Sequence, residues 1–330
     1  MKITIILCTY NRCQRLGKAL ESVAAQRLPE SDEFEVLVVD NNSRDRTREV
    51  VESFCRRFPG RFRYLFEPHQ GKSYALNAGI RSAQGDILAF TDDDVTVEAT
   101  WLQNLTASLH DSHWAGTGGR ILPQQPFTAP PWLSLNDRYA LGPCVFFDLG
   151  LEVCELAEPP FGANMAFRKD LFEKYGGFRT DLGPHPDSEI RSEDSEFACR
   201  LLSEGERLRY EPSAVVYHAV PESRLQKAYF LAWWCDKGRA DIRAYGIPHD
   251  ANWRLCGVPL SLLRRLTRWT LQWLIAIGAA HRFTCKRNVW HLAGTIMGCY
   301  QWTRRQNAQT ADRDADVRHE RKPTQAHTRT

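Results

Sequence analysis

The chain has 330 residues, 43% of them apolar and 25% charged, an ordinary composition for a folded soluble protein with room for one large domain and an appendage. A net charge of +3 is too small to imply a nucleic-acid partner. The ten cysteines form no C-x-x-C pair, so neither a zinc ribbon nor a redox dithiol is indicated.

Scattered cysteines in a chain this long read as reduced thiols and predict a cytoplasmic protein. The N-terminal apolar run, residues 3–7, is too short for a secretory segment and reads as a strand. Further strands are predicted at 34–39, 62–66 and 87–90. Between them Leu16, Leu20, Val23 and Ala24 form one helical face, and Val50, Val51, Phe54 and Phe58 another. A third helix over 72–83 carries Leu76 and Ile80. This alternation predicts an α/β fold, a Rossmann-like and mostly parallel central sheet flanked by helices.

Polar groups follow each strand: Thr9-Tyr10-Asn11-Arg12, Asp40-Asn41-Asn42-Ser43, Glu67 and Asp92-Asp93-Asp94. Strand C-termini of one parallel sheet share an edge, so these groups converge on one crevice. Asp40 and Ser43 read equally as helix caps. No G-x-G-x-x-G follows the first strand, which argues against a dinucleotide oxidoreductase. Three adjacent carboxylates repel one another and require something cationic among them. On extended backbone Asp92 and Asp94 point to one side, which suits a divalent cation shared with a substrate's phosphates. The plainer reading is an acidic start to the next helix.

Past residue 97, Trp101, Leu102, Leu105 and Leu109 mark a helix, and residues 116–122 a bent strand. Residues 123–160, rich in Pro and aromatics, read as an insertion that serves as a lid or binding loop. Strand character resumes at 161–167, and a short helix covers 168–175. A loop over 180–192 runs into Glu193-Asp194, which open a helix with Phe197, Leu201 and Leu202 on its buried side. Strands at 208–210 and 214–217 end at His218.

Taken in order, Cys8-Thr-Tyr-Asn-Arg12, Val38-Val-Asp-Asn-Asn-Ser43, Gly71-Lys-Ser-Tyr-Ala-Leu-Asn77, Asp92-Asp-Asp94, Gly162-Ala-Asn164, Glu193-Asp194 and His218 resemble the motifs of family 2 inverting glycosyltransferases with the GT-A fold. The likeness covers residues 1–220. It implies a catalytic domain with a nucleotide-binding half (about 1–98) and an acceptor half (about 99–220). The implied activity is of the hexosyltransferase type, with Mn²⁺ or Mg²⁺ as cofactor and a nucleoside-diphosphate sugar, above all a UDP-sugar, as donor. By this resemblance Thr9, Tyr10, Asn11, Arg12, Asp40 and Asn42 contact base and ribose. Lys72 and Asn77 lie near the nucleotide or its diphosphate. Asp92 and Asp93 belong to the donor site, and Asp94 and His218 hold the metal. Gly162, Ala163 and Asn164 form the loop beside donor sugar and acceptor. Asp194 is the catalytic base, with Glu193 as the fallback.

Plainer readings stand beside these. Glu193 and Asp194 also suit a helix N-terminus, and His218 a packed strand end. Cys8 and Cys13 read as small apolar fillers. Arg224 either clamps a phosphate or lies on a solvated helix face. A nucleotidyltransferase would carry a Gly-rich basic loop after the first strand, which Thr9–Arg12 is not. A non-catalytic nucleotide- or carbohydrate-binding scaffold of the same fold is the other alternative.

The last third is basic and helical. No acidic residue lies between Asp250 and Asp312, while Arg254, Arg264, Arg265, Arg268, Arg282, Lys286, Arg287, Arg304 and Arg305 all occur. Leu262, Leu266, Trp269, Trp273 and Ile277 share one side of a helical wheel, with Arg264, Arg265, Arg268 and Gln272 on the other. That pattern predicts a basic extension over 221–305 whose 254–305 part lies on a membrane surface without spanning it. The alternative is a helix packed on the catalytic domain. A peripheral place on the inner face of the membrane suggests a lipid-linked or polysaccharide acceptor. Residues 306–330 read as a disordered tail.

Overall fold

A computed structural model describes residues 1–126, 128–134, 138–185, 191–248 and 253–320, with side chains to 307 except at 138–140. Strand and helix alternate through β1 (Lys2–Thr9), α1 (Cys13–Ala24), β2 (Glu33–Asp40), α2 (Thr47–Arg57), β3 (Phe62–Phe66), α3 (Lys72–Ser82) and β4 (Ile87–Asp92). β1 pairs parallel with β2 and with β4, and β2 with β3. Helices cover both faces of these strands, so β1 and β2 are runs of Ile, Val and Leu rather than alternating sequences. α3 lies so close to the sheet that a Cβ on Gly79 would meet the Ile6 side chain at 2.7 Å.

The second half adds β5 (Val95–Val97), α4 (Trp101–Thr106), β6 (Gly116–Pro123), β7 (Cys154–Glu155), β8 (Met165–Arg168), α5 (Asp170–Tyr175), α6 (Glu193–Ser203) and β9 (Leu208–His218). Together they make a nine-stranded sheet of order β3-β2-β1-β4-β8-β6-β9-β5, with β7 also on β9. The expected parallel character holds from β3 to β4. Beyond it the sheet is mixed, for β8 runs antiparallel to β4 and β6, and β5 and β7 antiparallel to β9. Phe90, Phe167, Phe172, Phe178 and Phe197 pack together there, with Phe172 and Phe197 stacked at 4.5 Å. This aromatic cluster fixes α6, and with it Glu193 and Asp194, against the sheet.

Two boundaries differ from the sequence reading. β9 is one strand, not two. The register on β6 jumps from Glu211 to Val215, so Pro212 falls in the unpaired stretch where its missing N–H costs nothing. β8 starts only at Met165, because Asn164 N–H closes a turn onto Phe161 O at 3.0 Å.

The described part of the insertion meets both the crevice cavity, through Val145, and the C-terminal helices. Trp132, Leu133 and Cys144 pack with Phe230, Leu231 and Phe283 of the C-terminal helices, forming a second small core. Those helices are α7 (Lys227–Tyr245), α8 (Leu260–Ile275) and α9 (Ala279–Glu320), with a short hairpin of β10 (Arg254–Leu255) and β11 (Val258–Pro259) before α8. α7 and α9 touch backbone to backbone, since a Cβ on Gly294 would lie 1.9 Å from Cys235 O. α9 continues to Glu320, into the segment read as a disordered tail, and residues 321–330 lie outside the described residues. Of the α8 face expected on a membrane, Leu262, Leu266 and Trp269 pack in the core shared with Leu292 and Ile296 of α9, while Ile277 is exposed. No helix among the described residues is long and apolar enough to cross a membrane. All ten cysteines are free.

Candidate active site

The chain leaves β1 toward β2 and β3, then returns through β4 on the other side of β1. That reversal opens a crevice at the carboxyl ends of β1 and β4. There the structure has a cavity of about 360 Å³ lined by Thr9, Tyr10, Arg12, Lys72, Asp92, Asp93, Asp94, His218 and Arg224, among others.

The cations demanded by the aspartate triplet are protein side chains. Lys72 Nζ donates to Asp92 Oδ1 at 2.8 Å. Arg12 donates to Asp93 Oδ1 at 3.0 Å and to Asp94 Oδ2 at 2.8 Å. The Thr9 hydroxyl donates to Asp93 Oδ2 at 2.7 Å. Burial pushes the Asp93 carboxyl up to about 6 despite Arg12 and that hydroxyl. For Asp92 burial works the same way, but Lys72 prevails and holds the carboxyl below its usual range. Alternation along an extended chain is not what aims these groups. β4 ends at Asp92, and Asp93 and Asp94 form the turn into β5.

Asp94 Oδ1 and His218 Nε2 are 3.5 Å apart, and Arg224 lies 3.9 Å from Asp94 Oδ2. Adjacent ligands on an octahedral ion with about 2.1 Å bonds are about 3 Å apart, so this oxygen and nitrogen suit one divalent cation after a small shift. Burial lowers the His218 pKa, which favours the neutral ring a metal ligand needs. Among the described residues no group of three or more His, Cys, Asp or Glu side chains is placed to hold a metal ion by itself. The pair therefore fits a cation that draws its remaining ligands from phosphate and water.

Glu193 and Asp194 form the first turn of α6. A crevice lined by both, with Gly162, shares Cys8, Lys72 and Asp92 with the main cavity. Lys72 Nζ is 3.6 Å from Glu193 Oε1, so one amine joins the two acidic groups. Burial opposes its charge, yet Asp92, Glu193 and Asp194 hold Lys72 well above the lysine range. Burial, reinforced by Asp194, lifts Glu193 to about 7. Asp194 accepts the Gly162 N–H on Oδ2 and the Ser195 N–H on Oδ1, both at 2.7 Å. These two bonds fix the orientation of the side chain.

Other residues named by the resemblance support the cleft from behind. Asp40 accepts the Ser43 N–H and the Tyr64 hydroxyl, and Asn42 donates to Pro68 O. Asn11 accepts the Arg44 N–H, which ties the loop after β1 to the loop after β2. Neither Asp40 nor Ser43 caps α2; Asp45 receives the Thr47 N–H. Asn77 holds Phe178 by donating to its carbonyl and accepting its N–H. Ala163 O accepts the Thr91 hydroxyl. Asn164 is fully buried and accepts Trp101 Nε1–H while donating to Arg120 O and Ala214 O. Sequence reasoning passed over Gln70, His185 and Arg191 as cavity residues, and placed Asn41 at the crevice only within the polar cluster after β2. Asn41 had a signal, standing between two named residues; its amide spans Glu67 O, His69 O and the Gly71 N–H.

A Rossmann-like sheet with carboxylates and basic groups at the β1/β4 switch point fits the GT-A fold, and the comparisons identify the family. Residues 4–176 match the family described as Glycosyl transferase family 2, and residues 124–304 match Glycosyl transferase family group 2. The chain belongs to glycosyl transferase family 2. It is 31% identical over 236 residues to the succinoglycan biosynthesis protein ExoM of Rhizobium meliloti, covering 71% of this chain and 70% of that one. It is 28% identical over 240 residues to a glucosyl-dolichyl phosphate glucuronosyltransferase of Haloferax volcanii, covering 71% and 75%. In structure it is similar to the mannosyltransferase PcManGT of Pyrobaculum calidifontis, solved in complex with GDP-Man and Mn²⁺. That likeness has a TM-score of 0.61 at 21% identity and covers 91% of this chain and 87% of that one.

Proposed function

We propose that this glycosyltransferase is divalent-metal-dependent and inverting, and moves a sugar from a nucleoside-diphosphate sugar to an acceptor hydroxyl in glycan synthesis. The observation that supports the reading is Lys72, 2.8 Å from Asp92 and 3.6 Å from Glu193, which gathers the donor-side triplet and the α6 carboxylates around one amine. Arg12, Lys72 and Arg224 present cationic groups suited to a diphosphate. A cation held by Asp94 and His218 would act as a Lewis acid on the leaving diphosphate. Asp194 takes the proton from the acceptor hydroxyl as its oxygen bonds to the anomeric carbon. The bond from that carbon to the diphosphate breaks, and the nucleoside diphosphate leaves with the electron pair. Attack from the face opposite the leaving group inverts the centre, and no enzyme nucleophile is needed.

A UDP-sugar is the donor to test first. The names of the relatives support a polysaccharide or lipid-linked acceptor, and the basic C-terminal third supports a peripheral place on the cytoplasmic face of a membrane. Screening nucleotide sugars for thermal stabilisation and slow hydrolysis, with and without Mn²⁺, tests the reading. A donor that stabilises the protein and is hydrolysed only with the metal supports it. Hydrolysis at full rate in chelator overturns the metal requirement.

A further inference from the structure

α8 and α9 meet through Ala276, Ile277 and Gly278, and the apolar residues at that end have no protein to cover them. Leu271, Leu274, Ile275 and Ile277 are 58%, 64%, 77% and 90% exposed. This is the opposite outcome from the rest of α8, where Leu262, Leu263, Leu266 and Trp269 pack toward α9. Trp273 is also used internally, meeting Trp290 edge-on at 6.0 Å and lying under Lys286. The outward stripe of the helix reads Arg264, Arg268, Leu271, Ile275 at spacings of four, three and four, with Arg265 beside it. It changes from exposed arginine to exposed aliphatic as it approaches the turn. Arg282 stands exposed on the first turns of α9.

We propose that this helix-hairpin tip is the membrane anchor, entering an anionic bilayer end-on rather than laying α8 along it. The inference deepens the peripheral placement above and rests on it. Its partner follows from charge and length. The segment between Asp250 and Asp312 holds no carboxylate, so the collar of Arg264, Arg265, Arg268 and Arg282 matches acidic headgroups. Seven residues of helix separate Arg268 from Ile275, about 10 Å at 1.5 Å per residue. An interfacial segment buries its apolar groups about 5–10 Å below the headgroups. With the tip at that depth, Arg268 sits at the level of the phosphates.

The full-length protein is mixed with vesicles of phosphatidylcholine containing a quarter phosphatidylglycerol, and binding is read by co-sedimentation. The parent binds, and Ile275→Glu with Ile277→Glu loses at least about tenfold in partitioning, as expected for charges forced below the headgroups. Removing Arg264 or Arg268 costs about fivefold each and leaves a weaker salt dependence. Both isoleucines are exposed, so folding is unaffected, and metal-dependent hydrolysis of a soluble donor by the variant reports on the transferase reading separately. Unchanged vesicle binding by the double variant places the anchor elsewhere and overturns the tip, while the peripheral reading stands. No binding by the parent overturns both. A parent dimer on sedimentation that the variant abolishes, without vesicle binding, assigns the tip to a second copy and also overturns the proposal.

Discussion

Replacing Asp194 with asparagine removes the charge of the proposed base while keeping its shape. As carboxylate the group accepts two backbone N–H bonds, from Gly162 and Ser195, both at 2.7 Å. An asparagine offers one carbonyl oxygen, so one of those N–H groups then faces an NH₂. Leaving a buried donor unmade costs about 1–3 kcal/mol, and the variant is less stable by that amount in urea denaturation. The catalytic effect is larger and separable. General-base catalysis contributes about 10²–10⁴-fold, or about 3–5 kcal/mol of barrier at 1.4 kcal/mol per tenfold. With saturating donor and acceptor at a temperature where both proteins are folded, turnover falls by that factor. Donor affinity by calorimetry stays within a few-fold, because Asp194 adjoins the phosphate-facing cavity without lining it. Turnover within threefold of the parent would refute Asp194 as base and leave it a first-turn carboxylate that shapes the Gly162 turn.

Three further outcomes follow from the same contacts. Lys72→Met leaves Asp92 and Glu193 facing each other without their shared cation, and stability falls by about 3 kcal/mol, the low end for a buried pair because the amine is 25% exposed; an unchanged urea midpoint contradicts the bridge. Glu193 has a folded pKa of about 7 against an ordinary 4.5, so the unfolded chain loses this proton first. Its contribution is full below about pH 4.5, falls between 4.5 and 7, and is flat above, so Glu193→Gln gains on the parent across that window; parallel stability curves for the two proteins count against the raised pKa. Asn164→Ala strands Trp101 Nε1–H and two backbone carbonyls, lowering stability by about 2–4 kcal/mol with donor KM unchanged once folded. A raised donor KM at normal stability would instead restore the donor contact that the family resemblance implies.

The parallel half of the fold was legible because its signals are local. A strand buried on both faces is mostly apolar, and residues 3–7, 34–39 and 87–90 are, broken only by Thr4 and Glu35, which bond each other. The mixed half was harder, since nothing in the sequence of β8 says that it runs antiparallel to β4. Glu211-Pro212-Ser213 looks like a strand break and is a bulge, a distinction made by the partner strand β6 and not by the residues themselves. In the site, residue types were readable but directions were not. Asn41 borders the cavity while its amide, like that of Asn42, bonds the 67–71 loop, and Asp40 takes the Tyr64 hydroxyl of β3, though all three are small polar groups after one strand. The α8 face was misplaced for a related reason. Periodicity finds an apolar stripe, but it cannot say whether another helix or a bilayer covers it, and α9 took the stripe with the tryptophans.

The charge arrangement of the cleft ties these threads together. Asp92, Asp93, Asp94 and Glu193 confront Lys72, Arg12 and Arg224 within one set of contacts, so most of the acidic charge is compensated by protein groups. Arg12 cannot serve both masters at once. Its guanidinium bridges Asp93 and Asp94 while remaining 42% exposed, and Asp94 is also the carboxylate best placed to share a cation with His218. Both bonds come from the same nitrogen, Nη1, so a cation on Asp94 would leave Arg12 held by Asp93 through that nitrogen. Within the triplet Asp92 holds Lys72, and the middle aspartate, with Thr9 and Arg12 on its two oxygens, keeps the Arg12 guanidinium in place.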